Sequence, residues 1–243
     1  MAKEVRFFYD PALSGTLPEE EAGHATRVLR LTEGDEIYLM DGCGTFCRAE
    51  ITLATKRVCD YRITQTMPQQ RPWRGHIHLG IAPTKNIDRI EWLMEKATEI
   101  GWDAVSLLDC DFSERRKVRA DRLEGIIVSA VKQSHKAWMP VLSPDMMPFA
   151  EFVAQPLSGQ RFICHCYEPA DVSPTSVKPL LKDVLTTDGD ATVLIGPEGD
   201  FSIEEVRLAE SLGWQSVSLG TSRLRTETAG LCAVHTMQLK KQI

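Results

Sequence analysis

The sequence predicts an α/β chain in two parts: a small, mostly-β, barrel-like module over residues 1–68, and a larger domain over residues 76–243 with helices on both faces of a mostly parallel sheet. Three observations carry this. Short period-two runs separated by turn residues fill the first part. A polar, proline-bearing stretch, residues 69–75, breaks every periodicity and reads as a linker. Beyond it, apolar runs of strand length alternate with helical patterns, as in βαβ units.

In the first part, strands are expected at Val5–Tyr9, Glu36–Met40, Phe46–Leu53 and Val58–Thr66, with Asp41-Gly42 as a hairpin turn. One helix interrupts them, from Glu19 to Leu31, where Ala22, Ala25, Val28, Leu29 and Leu31 recur at partly helical spacing. In the second part an apolar strand at Ile77–Ala82 leads to a helix over Asp88–Ile100. Asp88 and Glu91 have capping-box spacing, Ile90, Leu93, Met94, Ala97 and Ile100 share a face, and Gly101 marks the stop. A strand at Val105–Leu108 and a helix over Asp121–Ala137 follow. Further strands at Phe162–Tyr167, Thr192–Ile195 and Ser216–Leu219 are separated by helical stretches, and that over Ser202–Leu212 opens with a second capping box, Ser202 and Glu205.

Composition bounds the function. At 243 residues and 43% hydrophobic content the chain can bury a substantial core. No apolar run approaches the ~20 residues of a membrane span, and Met1–Val5 has no secretory apolar stretch, so a cytoplasmic protein without membrane contact is expected. Seven scattered cysteines read as reduced thiols rather than a disulfide framework. A net charge of −6 speaks against a protein that coats nucleic acid, yet Arg115, Arg116, Lys117, Arg119 and Arg122 concentrate positive charge locally. The bland reading of that stretch is a solvated loop and helix start.

In an open parallel sheet, ligands bind beyond the C-terminal ends of the strands, which directs attention to two turns. Gly196-Pro197-Glu198-Gly199 follows the strand ending at Ile195, and its glycines let backbone approach a flat ligand. By itself such a turn is often only structural, and it has neither the dinucleotide fingerprint nor a Walker ending, which demotes hydride transfer and nucleotide hydrolysis. The second turn, after Leu219, crowds Arg223, Arg225 and Glu227 into a segment leading into an apolar helix. Its bland reading is a surface ion pair that orders the turn, with Arg223 or Arg225 pairing to Glu198 or Glu227. Metal chemistry has little support: Cys164-His165-Cys166 lacks a second pair at finger spacing, and His76 and His78 have simple strand spacing. No metal is expected, and hydrolase motifs are absent.

Ile195-Gly196-Pro197-Glu198-Gly199, followed by Leu219-Gly220-x-x-Arg223-Leu224-Arg225-Thr226-Glu227-Thr228-Ala229, resembles the bacterial ribosomal RNA small subunit methyltransferase E family, the uridine N3-methyltransferases of 16S ribosomal RNA. The resemblance extends to His24-x-x-Arg27-Val28-Leu29-Arg30, Gly34-Asp35, Lys85, Glu95 to Gly101, Ser113-Glu114-Arg115 and Gln133-Ser134. It implies a PUA-like RNA-binding domain joined to a SPOUT methyltransferase domain whose C-terminal segments form a trefoil knot. It further implies a homodimer, S-adenosylmethionine as methyl donor, and 16S ribosomal RNA or the assembled small subunit as partner. The cofactor pocket it implies comprises Ile195, Gly196, Pro197, Glu198 and Gly199, Leu219, Gly220, Ser222 and Leu224, with His165 in a third wall near Cys166 and Tyr167. The chain departs from the family at Asp200, where glycine is usual, and at Lys132 and Lys136, where glutamate and arginine are common.

The implied activity assigns roles. Methylating uracil N3 requires removal of an imide proton and stabilisation of the anion, mainly by positioning and electrostatics. Arg225 is the candidate for holding charge on the uracil oxygens, Glu198 for orienting the site or accepting the proton, and Glu227 a less favoured base. Arg27 and Arg30, three apart on the expected helix, would share a face and bind RNA phosphates together with Arg115 and Arg116. The alternatives are a knotted methyltransferase acting on another RNA base, and a ribosome-assembly or RNA-binding factor that has lost the reaction.

Overall fold

A computed structural model of the chain describes residues 6–173, 175 and 177–243. It divides into two compact units, Met1–Arg71 with Val128–Met139, and Pro72–Ile127 with Pro140–Ile243.

The first unit is built from β1 (Phe7–Tyr9), α1 (Glu19–Gly23), β2 (Glu36–Met40), β3 (Thr45–Ala54) and β4 (Cys59–Pro68). The strands form one sheet in the order β1-β2-β3-β4, parallel between β1 and β2 and antiparallel elsewhere. Alternate residues Ile37 and Leu39, Cys47, Ala49 and Ile51, and Cys59 and Tyr61 are buried with Phe8, Ala22 and Ala25, which is the period-two pattern made physical. The expected hairpin turn is present: Asp41 Oδ1 accepts from the N–H groups of Cys43 (2.7 Å) and Thr45 (2.9 Å), and Gly42 has φ 76°. Val5, the expected start of the first strand, lies outside the described residues.

The helix expected to reach Leu31 does not run on. The α-helical turn ends at Gly23, a single π-helical turn spans His24–Val28, and Leu29 N–H donates to the carbonyl of His24. Arg30 then takes φ 55°, so it lies past the helical segment and does not share a helix face with Arg27.

The second unit contains β5 (Ile77–Ile81), α2 (Ile87–Ile100), β6 (Ala104–Asp109), α3 (Ala120–Ser134), β7 (Val141–Leu142), β8 (Met147–Pro148), α4 (Phe149–Val153) and β9 (Gln160–Cys164). The last half of α3 clusters with the first unit. The chain continues with α5 (Pro169–Val172), α6 (Leu181–Val184), β10 (Ala191–Ile195), α7 (Ile203–Ser211), β11 (Gln215–Val217) and α8 (Thr226–Lys241). Its seven-stranded sheet has the order β11-β9-β10-β5-β6-β7, with β8 also on β6, and every pairing is parallel. All five residues of β10 are buried, as a strand covered on both faces requires. Ile163, Leu194 and Leu108 face the cluster of Phe149, Phe152, Val206 and Ala209 from α4 and α7. Leu79 and Ile81 point the other way, toward α2 and α8. There a Cβ on Gly230 would come within 2.9 Å of Leu93 and 3.1 Å of Ile81, so glycine lets α8 press onto α2 and β5.

Caps fix the helices, though not all as expected. Asn86, not Asp88, caps α2 and accepts from Asp88 N–H, while Glu91 pairs with Arg122 at 2.6 Å. The short amide side chain of Asn86, one residue before the helix, reaches the first free N–H groups, whereas Asp88 is already within the first turn. Gly101 ends α2 at φ 113°. Ser202 and Glu205 form the expected capping box of α7, and the Ser202 hydroxyl also donates to Asp111 at 2.6 Å. Residues 69–75 are irregular, yet Trp73 is buried, with its indole N–H on Asp103 at 2.9 Å.

Burial, aided by the neighbouring His76, pushes the His78 imidazole down to about 4, and its Nε2 hydrogen-bonds Ser106 at 3.0 Å. The unfolded ring titrates near 6.5, so His78 binds more protons unfolded than folded. Its contribution to stability is therefore complete above about pH 6.5 and is lost as pH falls toward 4. At pH 5 this amounts to about 2 kcal/mol. Chemical denaturation of wild type and His78→Gln at pH 7.5 and pH 5 should show the smaller acid-dependent loss in the variant.

Candidate active site

The strand order β11-β9-β10 brings the three turns that follow these strands to one edge of the sheet. They wall a cleft of about 920 Å³. From the turn after β10 come Ile195, Gly196, Pro197 and Glu198; from the turn after β11, Leu219, Gly220, Ser222 and Leu224; and from the end of β9, Cys164, His165 and Cys166. Gly199 lies outside this lining, exposed beside Phe112.

The turn after β10 is tight. A Cβ on Gly196 would come within 2.9 Å of Phe201 N and 3.1 Å of the Asp200 carbonyl carbon, backbone atoms that cannot give way. Asp200 has φ 70°, the left-handed conformation that explains why glycine suits the position and why aspartate, which tolerates it, can stand there. Its carboxylate then does what glycine cannot: Oδ2 accepts from Cys166 N–H at 2.7 Å and Oδ1 from Phe201 N–H at 2.8 Å, tying the β9 and β10 ends together. Exposed Glu198 accepts from Lys85 N–H at 3.0 Å, and Lys85 pairs with Glu114 at 2.7 Å.

On the β9 side, His165 is buried, with Nε2 2.9 Å from the Ser216 hydroxyl, which in turn donates to Glu210 at 2.6 Å. A carboxylate only accepts and the hydroxyl has one hydrogen, so Ser216 must accept from Nε2–H, leaving Nδ1 as a bare acceptor with no partner among the described residues. Burial first, then the nearby Lys178 ammonium, pushes His165 down to about 4 and keeps it neutral. Burial also pushes the Cys164 and Cys166 thiols up, the direction opposite to that of a reactive or metal-bound thiolate. Among the described residues no three His, Cys, Asp or Glu side chains gather as a metal site.

Arg225 and Glu227 meet at a second, adjoining cavity of about 300 Å³, lined also by Asp88, Arg89, Trp92 and Thr228. Arg89 and Arg225 belong to both cavities. Arg225 is exposed and has no ion pair among the described residues, so neither Glu198 nor Glu227 holds it. Glu227 is buried; Oε1 lies 3.9 Å from Arg89 Nε, and Oε2 has no hydrogen-bond partner among the described residues. Sequence reasoning passed over Arg89 and Trp92. The available signal was a tryptophan set off the apolar face formed by Ile90, Leu93, Met94 and Ala97, and Trp92 is indeed 41% exposed.

The arginines expected to meet RNA are placed differently from one another. In the first unit, Arg27 and Arg30 are exposed. In the second, Arg115 donates to the carbonyls of Thr84 and Lys85, while Arg116 pairs with Asp109 at 2.5 Å. Arg119 and Arg122 pair with Asp121 and Glu91. Lys132 pairs with Glu21 within the first unit, its charge answered rather than displayed.

The larger cleft fits a nucleoside-sized cofactor: Ile195, Pro197, Val217, Leu219 and Leu224 offer apolar walls for an aromatic base, and Lys178, Glu198 and Arg223 offer charged groups for polar ends. Residues 71–238 match the RNA methyltransferase domain family, and residues 17–61 match the RNA methyltransferase PUA domain. The structure is similar to that of a "probable rRNA-methyltransferase" from Porphyromonas gingivalis, with TM-score 0.87 and 42% identity over 97% of this chain and 99% of that one. It is also similar to ribosomal RNA small subunit methyltransferase E from Neisseria gonorrhoeae bound to S-adenosylmethionine, with TM-score 0.82 and 27% identity over 97% and 98% of the two chains. In sequence it is 25% identical to ribosomal RNA small subunit methyltransferase E of Bacillus subtilis, over 92% of this chain and 89% of that one. Fold and family matches together define an RNA methyltransferase domain with an appended PUA domain. The chain belongs to the RNA methyltransferase family, and the resemblance of its motifs to the ribosomal RNA small subunit methyltransferase E branch is borne out.

Asp200→Gly should retain the left-handed turn and lose only the tether, whereas Asp200→Ala loses the tether and adds strain of about 1 kcal/mol. Denaturant unfolding should therefore rank wild type above Asp200→Gly, and Asp200→Gly above Asp200→Ala.

Proposed function

We propose that the chain methylates N3 of one specific uridine in 16S ribosomal RNA of the small subunit, acting in the cytoplasm as a homodimer. The observation that carries this reading is the junction of the two cavities, where an exposed, unpaired Arg225 stands beside a buried carboxylate, Glu227, with one oxygen free. Bound S-adenosylmethionine supplies an electrophilic methyl group on a sulfonium and leaves as S-adenosylhomocysteine. The protein's task is the other half of the reaction. Uracil N3 becomes a nucleophile when its N–H proton departs and the electron pair stays on the ring, delocalised onto the two carbonyl oxygens. Arg225 suits that oxygen charge. Glu227 suits the proton better than Glu198, because one Glu198 oxygen is already engaged by Lys85 N–H and its carboxylate is exposed, whereas the Glu227 carboxylate is buried and accepts no hydrogen bond from the described residues. Glu198 then acts by holding the 84–85 segment against the cofactor turn.

The same reading includes a trefoil knot. Support comes from the segment after β11: Ser218 N–H donates to the carbonyl of Pro179 and Leu181 N–H to that of Ser218, so this segment pairs in parallel with residues 179–181 before α8 returns to α2 and β5. The cofactor walls expected from the motifs, His165 on one side and Gly196 and Gly220 on the others, belong to the proposal as well.

Arg225→Ala should lower methylation of small-subunit RNA at saturating S-adenosylmethionine about 100-fold, the typical loss for one transition-state donor. Turnover near wild type would remove Arg225 from the mechanism. In a strain lacking the gene, mass spectrometry of 16S ribosomal RNA should show loss of one N3-methyluridine. If Arg27 and Arg30 bind phosphates, alanine at both should reduce the slope of log affinity for RNA against log salt by about 2, and an unchanged slope assigns them to solvent.

A further inference from the structure

We infer that the smaller cavity between α2 and α8 is the seat of the target base, that Trp92 is its stacking platform, and that Arg89, Glu227 and Arg225 select uracil over cytosine. This rests on the proposed uridine methylation and adds the residues that would recognise the base. Three features of the cavity converge. It adjoins the cofactor cleft and shares Arg89 and Arg225 with it, so a base held there presents its edge to the cofactor side. Its volume, about 300 Å³, is at the small end of the range for ligand pockets and suits one pyrimidine nucleotide. Its wall carries a partly exposed indole, Trp92, which faces away from the helix's buried side and offers a flat apolar surface of the kind on which bases stack.

The polar groups add a pattern. Arginine only donates and an ionised carboxylate only accepts, so Arg89 and Arg225 offer donors while Glu227 and Asp88 offer acceptors. The Watson–Crick edge of uracil presents O4, N3–H and O2, which is acceptor, donor and acceptor. Cytosine presents a donor amine, then two acceptors, and would set its bare N3 against the Glu227 carboxylate. The 3.9 Å separation of Arg89 Nε and Glu227 Oε1 is too long for a hydrogen bond, which leaves Oε1 beside the cavity as an acceptor without a donor among the described residues. Uracil N3–H would supply that donor. Proton transfer would then break the N3–H bond, place the proton on Glu227, and leave the ring anion with its oxygens facing the two guanidinium groups.

The test uses full-length protein labelled with 5-fluorotryptophan and saturated with S-adenosylhomocysteine, the Trp92 resonance being the one missing from Trp92→Phe. Uridine 5′-monophosphate should shift that resonance saturably, and cytidine 5′-monophosphate should need at least tenfold higher concentration. Glu227→Gln should narrow the difference. An unmoved resonance, or equal response to both nucleotides, overturns the inference. In parallel, Trp92→Ala should lower kcat/KM for RNA methylation ten- to a hundredfold with unchanged cofactor affinity and unchanged sedimentation, and Trp92→Phe should retain most activity. Lost activity accompanied by a change in sedimentation overturns it too, because Trp92 then belongs to an interface between copies. The two readings fail separately. A wild type that shifts with uridine nucleotide yet leaves N3 unmethylated defeats the proposed activity alone, whereas a methylating wild type with an indifferent Trp92 defeats the base pocket alone.

Discussion

Everything at the site depends on the parallel pairing of β10 between β9 and β5. Val193 lies opposite both Phe162 and Leu79, so the three strands end in register, and parallel pairing sends their following turns off the same edge. An antiparallel arrangement would scatter these turns over two edges. Burial of β10 on both faces leaves no slack in register, because moving a strand by one residue would exchange the sides facing α2 with α8 and α4 with α7. The cleft is thus a by-product of packing, and its residues could be small, polar or strained because the strands beneath them supply the rigidity.

Much of this frame was legible in the sequence. Strands such as Glu36–Met40 and Thr192–Ile195, and the glycine stop of α2, follow from period, length and glycine conformation alone. What could not be read arises from competition between local and distant partners. Asp88 and Glu91 have the spacing of a capping box, yet Glu91 has a partner from α3 in Arg122, and Asn86 takes the cap. The helix through Arg27 and Arg30 has helical apolar spacing, yet its last turn loosens into π geometry and ends at a left-handed Arg30. The short elements from β7 to α4 carry too few residues to show a period.

The candidate site divides along the same line. Its loops were visible because glycines after apolar strands are visible, and the family resemblance supplied the cofactor. Arg89 and Trp92 were hidden because they lie on α2, far along the chain from the turns, and only the tertiary contact of α2 with α8 brings them there. Charge misled in the opposite sense. The run from Arg115 to Arg122 looks like an open basic surface in one dimension, but in three dimensions Asp109, Asp121 and Glu91 answer most of it, and Arg115 is occupied by carbonyls. Charge density in a sequence measures a field only where the partners are absent.

The end of α8 has a consequence for how the chain assembles. Lys241 is fully buried, with its ammonium on the carbonyl of Gly189 and its own carbonyl accepting from Arg74 N–H, while Trp73 bridges to Gln242. The entry and exit of the second unit therefore meet, separated by nearly the whole length of that unit. A lysine cannot be left in an apolar interior without its partners, so this corner closes only after both ends have arrived. Contacts of such high sequence separation make folding slow, because both segments of the unit must be in place before this corner can lock.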